Sequence, residues 1–241
     1  MKDLIKIWIS VACFMPTMLD CFAQEMDCKA KVQMALDQFK DMGLPGEKGT
    51  IHFFDYSVKT KMRDEKKTLN ESRIKIYQSA DRIEAVSDQI HTIVDTKVSI
   101  SELKARNMIV ITDVVKSENK LERFLKFAAA NDSMLQKASV LGCKNSGGIL
   151  KVKLNLNSAA HKSVDHVVVT LEENTERLVK LSTFYTVDSP FEFVEYEFHA
   201  VDEIGSHAVF DIAALHMFFH PDGSPKPEYA SHQIMDVRAK N

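Results

Sequence analysis

The strongest constraint on the fold is an alternation of apolar and polar residues, with a period of two, in both halves of the 241-residue chain. Because successive side chains of a strand point to opposite faces of a sheet, such runs predict half-buried strands of an antiparallel sheet. In the first run, 51–62, one side carries His52, Phe54, Tyr56, Val58, Thr60 and Met62. In a later run it carries Leu150, Val152, Leu154 and Leu156.

Shorter runs and two helical stretches complete the predicted order of helix, meander, helix, meander, which is an α+β fold. Apolar residues spaced by three and four predict a helix over Met26–Met42, with Cys28 on its apolar side. A second helical stretch is predicted over Ser117–Lys137. The remaining strands are expected at 68–79, 82–87, 90–94, 97–101, 108–112, 167–171, 179–185, 194–200, 209–219 and 233–238.

The N-terminus has the pattern of a cleavable secretory signal. Two lysines within Met1–Lys6 precede the apolar run Ile7–Leu19, and small residues stand before Gln24. We therefore expect cleavage near Ala23, residues 1–23 as the signal peptide, and an exported, periplasmic domain over 24–241. An uncleaved anchor and a lipoprotein processed at Cys21 are the alternatives, although Asp20 is unfavourable for the second.

Removal of the signal would leave two cysteines, Cys28 and Cys143, in the mature chain. Two cysteines in an oxidising compartment are expected to form a disulfide. The alternative is two separate buried thiols, since free cysteine is often a small core residue.

Charge and motifs argue against several functional classes. The formal net charge of −3 does not favour nucleic acid as a partner. The sequence has neither a phosphate-binding glycine loop nor a G-x-S-x-G nucleophile elbow. His216 and His220 are four residues apart, but no Glu stands beside His216 as in zinc metalloproteases. We assign no catalytic residue, metal or cofactor, and we expect the protein not to be an enzyme.

The order of elements resembles that of the LolA/LolB lipoprotein-carrier superfamily, over roughly Cys28 to Arg238. The similar phrases are Phe54-Asp55-Tyr56-Ser57-Val58, Ile74-Lys75-Ile76-Tyr77 and Val167-Val168-Val169-Thr170-Leu171. The resemblance implies a curved antiparallel sheet, as an incomplete β-barrel, with an N-terminal helix and a helical lid. It also implies a periplasmic apolar cavity for acyl chains, no cofactor, and docking on envelope membrane proteins, for which no charged patch stands out here.

The resemblance and the alternation together identify a candidate lining for a lipid or a lipoprotein acyl chain. The same residues would be ordinary core if the helices fill that side of the sheet, and the protein would then be a ligand-free interaction or structural module of an envelope complex. The ten candidate residues are Phe54, Tyr56, Val58, Ile74, Ile76, Met108, Val110, Val194, Tyr196 and Phe198.

Overall fold

A computed structural model describes residues 27–39, 41, 49–63, 69–114, 137–156 and 163–238. The expected signal peptide lies outside these residues, and so does the second helical stretch apart from Lys137. Cleavage near Ala23 and the helical lid therefore stay predictions. No helix of the described chain is long and apolar enough to cross a membrane.

All strands of the described chain belong to one curved sheet of 12 strands. The strands are β1 Ile51–Met62, β2 Leu69–Gln78, β3 Ile83–Ser87, β4 Ile90–Val94, β5 Val98–Leu103, β6 Met108–Asp113, β7 Ser139–Ser146, β8 Ile149–Asn155, β9 Val164–Glu172, β10 Leu178–Tyr185, β11 Phe191–Ile204 and β12 Gln233–Asp236. Their order in the sheet is β12-β6-β5-β4-β3-β2-β1-β11-β10-β9-β8-β7. The two edge strands, β7 and β12, do not pair with each other, so the sheet is unclosed.

The pairing of β1 with β11 joins the first meander, β1–β6, to the second, β7–β11. Phe54 lies opposite Val201, and Tyr56 lies opposite Phe198. The register shifts between Asp55 and Tyr56, where β11 has one extra residue. A single continuous sheet results from two segments that are far apart in sequence.

The alternation predicted most strands correctly, but the fold is richer in β-structure than the expected α+β class. The strand β7 was missed because Ser139–Ser146 contains Gly142 and little apolar alternation, as suits a mostly exposed edge strand. The prediction of a strand at 209–219 is wrong. This segment forms a 3₁₀ turn over Ala208–Asp211 and a short helix, α2, over Ala214–Phe218.

The spacing of buried residues explains that error. Ala214 and Phe218 are both fully buried and four residues apart, so they lie on one side of a helix. In the linear sequence, the same apolar run is equally compatible with a buried strand.

A two-glycine turn joins β7 to β8, as expected from Asn145-Ser146-Gly147-Gly148. Gly147 and Gly148 have φ angles of +62° and +79°. Positive φ at both central residues is the conformation that matches the twist of a tight hairpin, and glycine adopts it without strain.

The N-terminal helix, α1, covers residues 27–39 of the described chain. Its buried side carries Val32, Leu36 and Phe39, and Cys28 forms the expected disulfide with Cys143 of β7. The two Cα atoms are 6.4 Å apart. The bond therefore attaches α1 to the edge of the second meander.

Two apolar clusters lie on opposite faces of the sheet. Residues paired across antiparallel strands share a face, and neighbours along a strand alternate between faces. The α1 face, on which α1 packs, includes the paired residues Phe54, Ile76 and Ala85. On the α2 face, α2 packs against Ile93, Ile100, Ile109 and Ile111.

Replacing both cysteines (Cys28→Ala with Cys143→Ala) is expected to lower the free energy of unfolding by about 4 to 5 kcal/mol, since a bond across 115 residues restricts the unfolded chain. Guanidinium denaturation measures the change. Reducing agent should shift wild type by the same amount and leave the double variant unchanged. Equal midpoints for oxidised and reduced wild type would contradict a stabilising disulfide.

Candidate functional site

All ten candidate lining residues lie on the α1 face. In β1 and β2, Phe54 pairs with Ile76 and Tyr56 pairs with Ile74. On this face, strand pairing continues through Thr92 of β4 and Ser101 of β5 to Met108 and Val110 of β6. On the other side, β1 pairs with β11. The candidate set is therefore one surface that extends over β1, β2, β6 and β11.

Seven of the ten residues belong to the cluster under α1. Phe39 of α1 makes edge-to-face contacts with Phe54 and Phe198, with ring centroids 5.8 and 4.9 Å apart. Rings in this arrangement contribute attraction beyond their buried area. The seven are Phe54, Tyr56, Val58, Ile74, Ile76, Tyr196 and Phe198.

Met108, Val110 and Val194 share the face but lie outside that cluster. Around Met108 and Val110, the α1 face of β4–β6 carries further apolar side chains of intermediate or greater exposure, and Ile90 is 42% exposed. We call this surface the apolar strip, and its residues are Ile90, Val94, Leu103, Met108 and Val110.

The two tyrosines of the lining hold neutral hydroxyl groups. Burial, together with a smaller effect of the neighbouring Tyr196, raises the pKa of Tyr56 to about 12. Burial also raises the pKa of Tyr196. This part of the α1 face offers apolar contact and neutral hydroxyls rather than charge.

The α2 face of the long strands is polar and carries several ion pairs. Arg73 donates two hydrogen bonds to Asp55, at 2.8 and 2.7 Å, and they hold the Asp55 pKa below its usual value. Lys59 bonds Glu197 at 3.1 Å, and Lys180 bonds Glu195 at 3.0 Å. Glu195 and Glu197 are thus paired charges of a strand face.

Sequence reasoning missed a buried carboxylate on the α2 face. The Glu84 side chain is 5% exposed and contacts His91 Nε2 at 2.7 Å through one oxygen and His207 Nε2 through the other. Burial raises the Glu84 pKa, but the hydrogen bonds from His91 and His207 outweigh that effect, so the pKa is lowered. The His207 ring also stacks on Tyr77, with centroids 3.8 Å apart.

These contacts attach the histidine-rich C-terminal segment, residues 205–238, to the first meander. His232 adds a second attachment, because its Nε2 lies 3.3 Å from Glu102 of β5. His216 and His220 are exposed. Within the described ranges, no three His, Cys, Asp or Glu side chains converge as a metal site. The sequence signal that could have identified Glu84 as buried is its position between two apolar residues of a strand.

No protein-family model and no curated protein matches this chain. Among solved structures it is similar to an uncharacterized conserved protein from Thermus thermophilus, at 11% identity and a TM-score of 0.42, over 86% of this chain and 98% of that chain. A DUF1329 family protein from Desulfovibrio piger is similar at 8% identity and 0.33, over 76% and 97%. A putative outer membrane lipoprotein-sorting protein domain from Vibrio parahaemolyticus is similar at 10% identity and 0.30, over 75% and 96%.

Glu84→Gln is expected to lower the free energy of unfolding by about 2 kcal/mol at pH 7, because two charge-assisted hydrogen bonds are lost. A carboxyl with a lowered folded pKa stabilises the fold above its unfolded pKa, and that contribution is lost as the pH falls through the folded pKa. The gap between variant and wild type should therefore close below about pH 4.5.

Urea denaturation from pH 7 to pH 3.5 measures this gap. Glu102→Gln, at a carboxylate with a single histidine contact, is the matched control and should cost less at pH 7. A gap for Glu84→Gln that stays constant over the whole pH range would show that the Glu84 charge does not stabilise the fold.

Proposed function

We propose that this protein is an exported, periplasmic binding protein for an apolar ligand, a lipid or the acyl chain of a lipoprotein, and that it is not an enzyme. The supporting observation is the apolar strip. It continues the face covered by α1, yet its side chains keep intermediate or greater exposure. The resemblance of the sequence to the LolA/LolB superfamily agrees with this role.

The α1 face combines a fixed part with an accessible part. Beneath α1, apolar side chains of β1, β8 and β9 form a buried cluster, and the disulfide holds the helix against β7. Over β4–β6, the same face carries apolar residues without burying any of them fully. A ligand chain is expected to lie on the strip, beside the fixed wall formed by α1 and its cluster.

The chemistry of the surface suits an alkyl chain. Burying one methylene group contributes about 0.8 kcal/mol. A chain of ordinary fatty-acid length can therefore offset the entropy lost on binding without any charged contact. The polar side chains beside Met108 and Val110 on this face include Ser101, Thr112 and Gln233, and none of the three carries a charge.

One observation favours the competing function, a ligand-free interaction module of an envelope complex. Strand β12 is an edge of the sheet, and its Ile234 and Met235 are 40% and 41% exposed. Apolar residues on an edge strand are suited to pairing with a strand of another protein. In this case the α1 face would bind no ligand.

Val110→Asp is expected to weaken binding of a fluorescent fatty acid at least tenfold, because it places a charge in the apolar strip. Val86→Asp is the matched control. It introduces the same change at a half-buried strand valine on the α2 face, and it should leave the affinity unchanged. Fluorescence titration of both folded variants gives the comparison, and equal affinities would exclude the strip as the binding surface.

Native mass spectrometry of the exported protein provides an independent measurement. We expect a population whose added mass matches a lipid and disappears after extraction with organic solvent. Reduced occupancy in Val110→Asp, but not in Val86→Asp, would link the lipid to the strip. A protein that carries no lipid and binds no fatty acid would favour the interaction module.

A further inference from the structure

The guanidinium group of Arg82 is buried, but its hydrogen-bonding capacity is largely unused. Arg82 precedes β3 and is 9% exposed. Its Nη1 donates to the Phe210 carbonyl at 2.9 Å, and its guanidinium carbon lies 5.8 Å from the centre of the Phe210 ring. Its Nε and Nη2 atoms are both buried and have no acceptor among the described residues.

Other arginines of the chain show how such a group is normally satisfied. Arg63 donates to four backbone carbonyls, those of Tyr185, Thr186, Ser189 and Phe191. Arg73 places its Nε and Nη2 on the two oxygens of Asp55. The Arg73 side chain is 56% exposed and still pairs with a carboxylate. Arg82 is buried and has no such pair in the described part of the chain.

The carboxylate that follows Arg82 along the strand is already engaged. Glu84 lies two residues beyond Arg82, and therefore on the same face, but its two oxygens bond His91 and His207. A buried cation without an anionic partner is costly. The atoms left without acceptors are those of the guanidinium edge that binds carboxylate or phosphate through two parallel hydrogen bonds.

We propose that the Nε–Nη2 edge of Arg82 is a binding site for an oxyanion, the carboxylate or phosphate group of a ligand. The Phe210 carbonyl and ring fix the orientation of the guanidinium, so its free edge is oriented before the ligand arrives. This site lies on the α2 face, away from the apolar strip, and does not depend on the proposed lipid binding.

The segment that covers the site is a short turn. Phe210 belongs to the 3₁₀ turn Ala208–Asp211, and both Asp211 and Ile212, which end it, are exposed. The contact of His207 with Glu84 holds one end of this turn, and the hydrogen bond from Arg82 holds its middle. An oxyanion reaches the guanidinium edge by a shift of this turn.

Thermal unfolding of the exported protein in acetate, phosphate or chloride at equal ionic strength tests the site. The wild-type midpoint should rise saturably, by several degrees, in acetate or in phosphate relative to chloride, because a ligand that binds only the folded state stabilises it. Arg82→Gln should abolish the rise. Arg82→Lys keeps the charge but not the two-pronged edge, and it should reduce the rise.

Arg63→Gln is the matched control, since it removes a well-bonded arginine elsewhere. Its midpoint in chloride should fall, while the rise caused by the anion should remain. The proposal is overturned if neither anion raises the wild-type midpoint above that in chloride. It is also overturned if Arg82→Lys, or a folded Arg82→Gln, responds as strongly as wild type.

Discussion

The pairing of β1 with β11 is the interaction on which the rest of the structure depends. It joins two meanders into one sheet of the described chain, and its register places Tyr56 opposite Phe198 and Val58 opposite Tyr196. A slip of one residue would move a whole row of side chains to the other face. The extra residue in β11 near Asp55 keeps the apolar rows aligned on both sides of the register shift.

That register separates two chemistries onto two faces. On the α1 face, aromatic and aliphatic side chains meet a helix that the Cys28–Cys143 bond attaches to a far strand. On the α2 face of the same strands, Asp55 and Glu197 bond Arg73 and Lys59. Apolar contact is therefore available on one side of the sheet, while ionic contacts dominate the other side of the long strands.

The C-terminal segment adds a second layer to the α2 face through histidines and a buried acid. Glu84 contacts His207, and Glu102 contacts His232. Phe218 of α2 is buried in a small apolar cluster over β4–β6. Natural proteins usually satisfy their buried polar groups, and departures concentrate at functional sites. Arg82 is such a departure, beside a carboxylate whose bonds are complete.

The sequence by itself determined the elements whose signal is local. The alternation predicted β1 at its observed bounds, the spacing around Val32 and Phe39 predicted the buried side of α1, and Gly147-Gly148 predicted a turn. The ten lining residues were assigned from alternation and resemblance, and they do share one face, although whether they bind a ligand remains a prediction.

Only the tertiary structure decided which faces coincide and which charges meet. Glu84 and His207 are 123 residues apart, and β12 pairs in parallel with β6 rather than with the second meander. A strand period specifies two sides but not which neighbour adjoins it, because pairing depends on register and chain path. The short apolar run around Phe218 likewise does not specify helix or strand by itself. It forms a helix because it packs against Ile100 and Ile109.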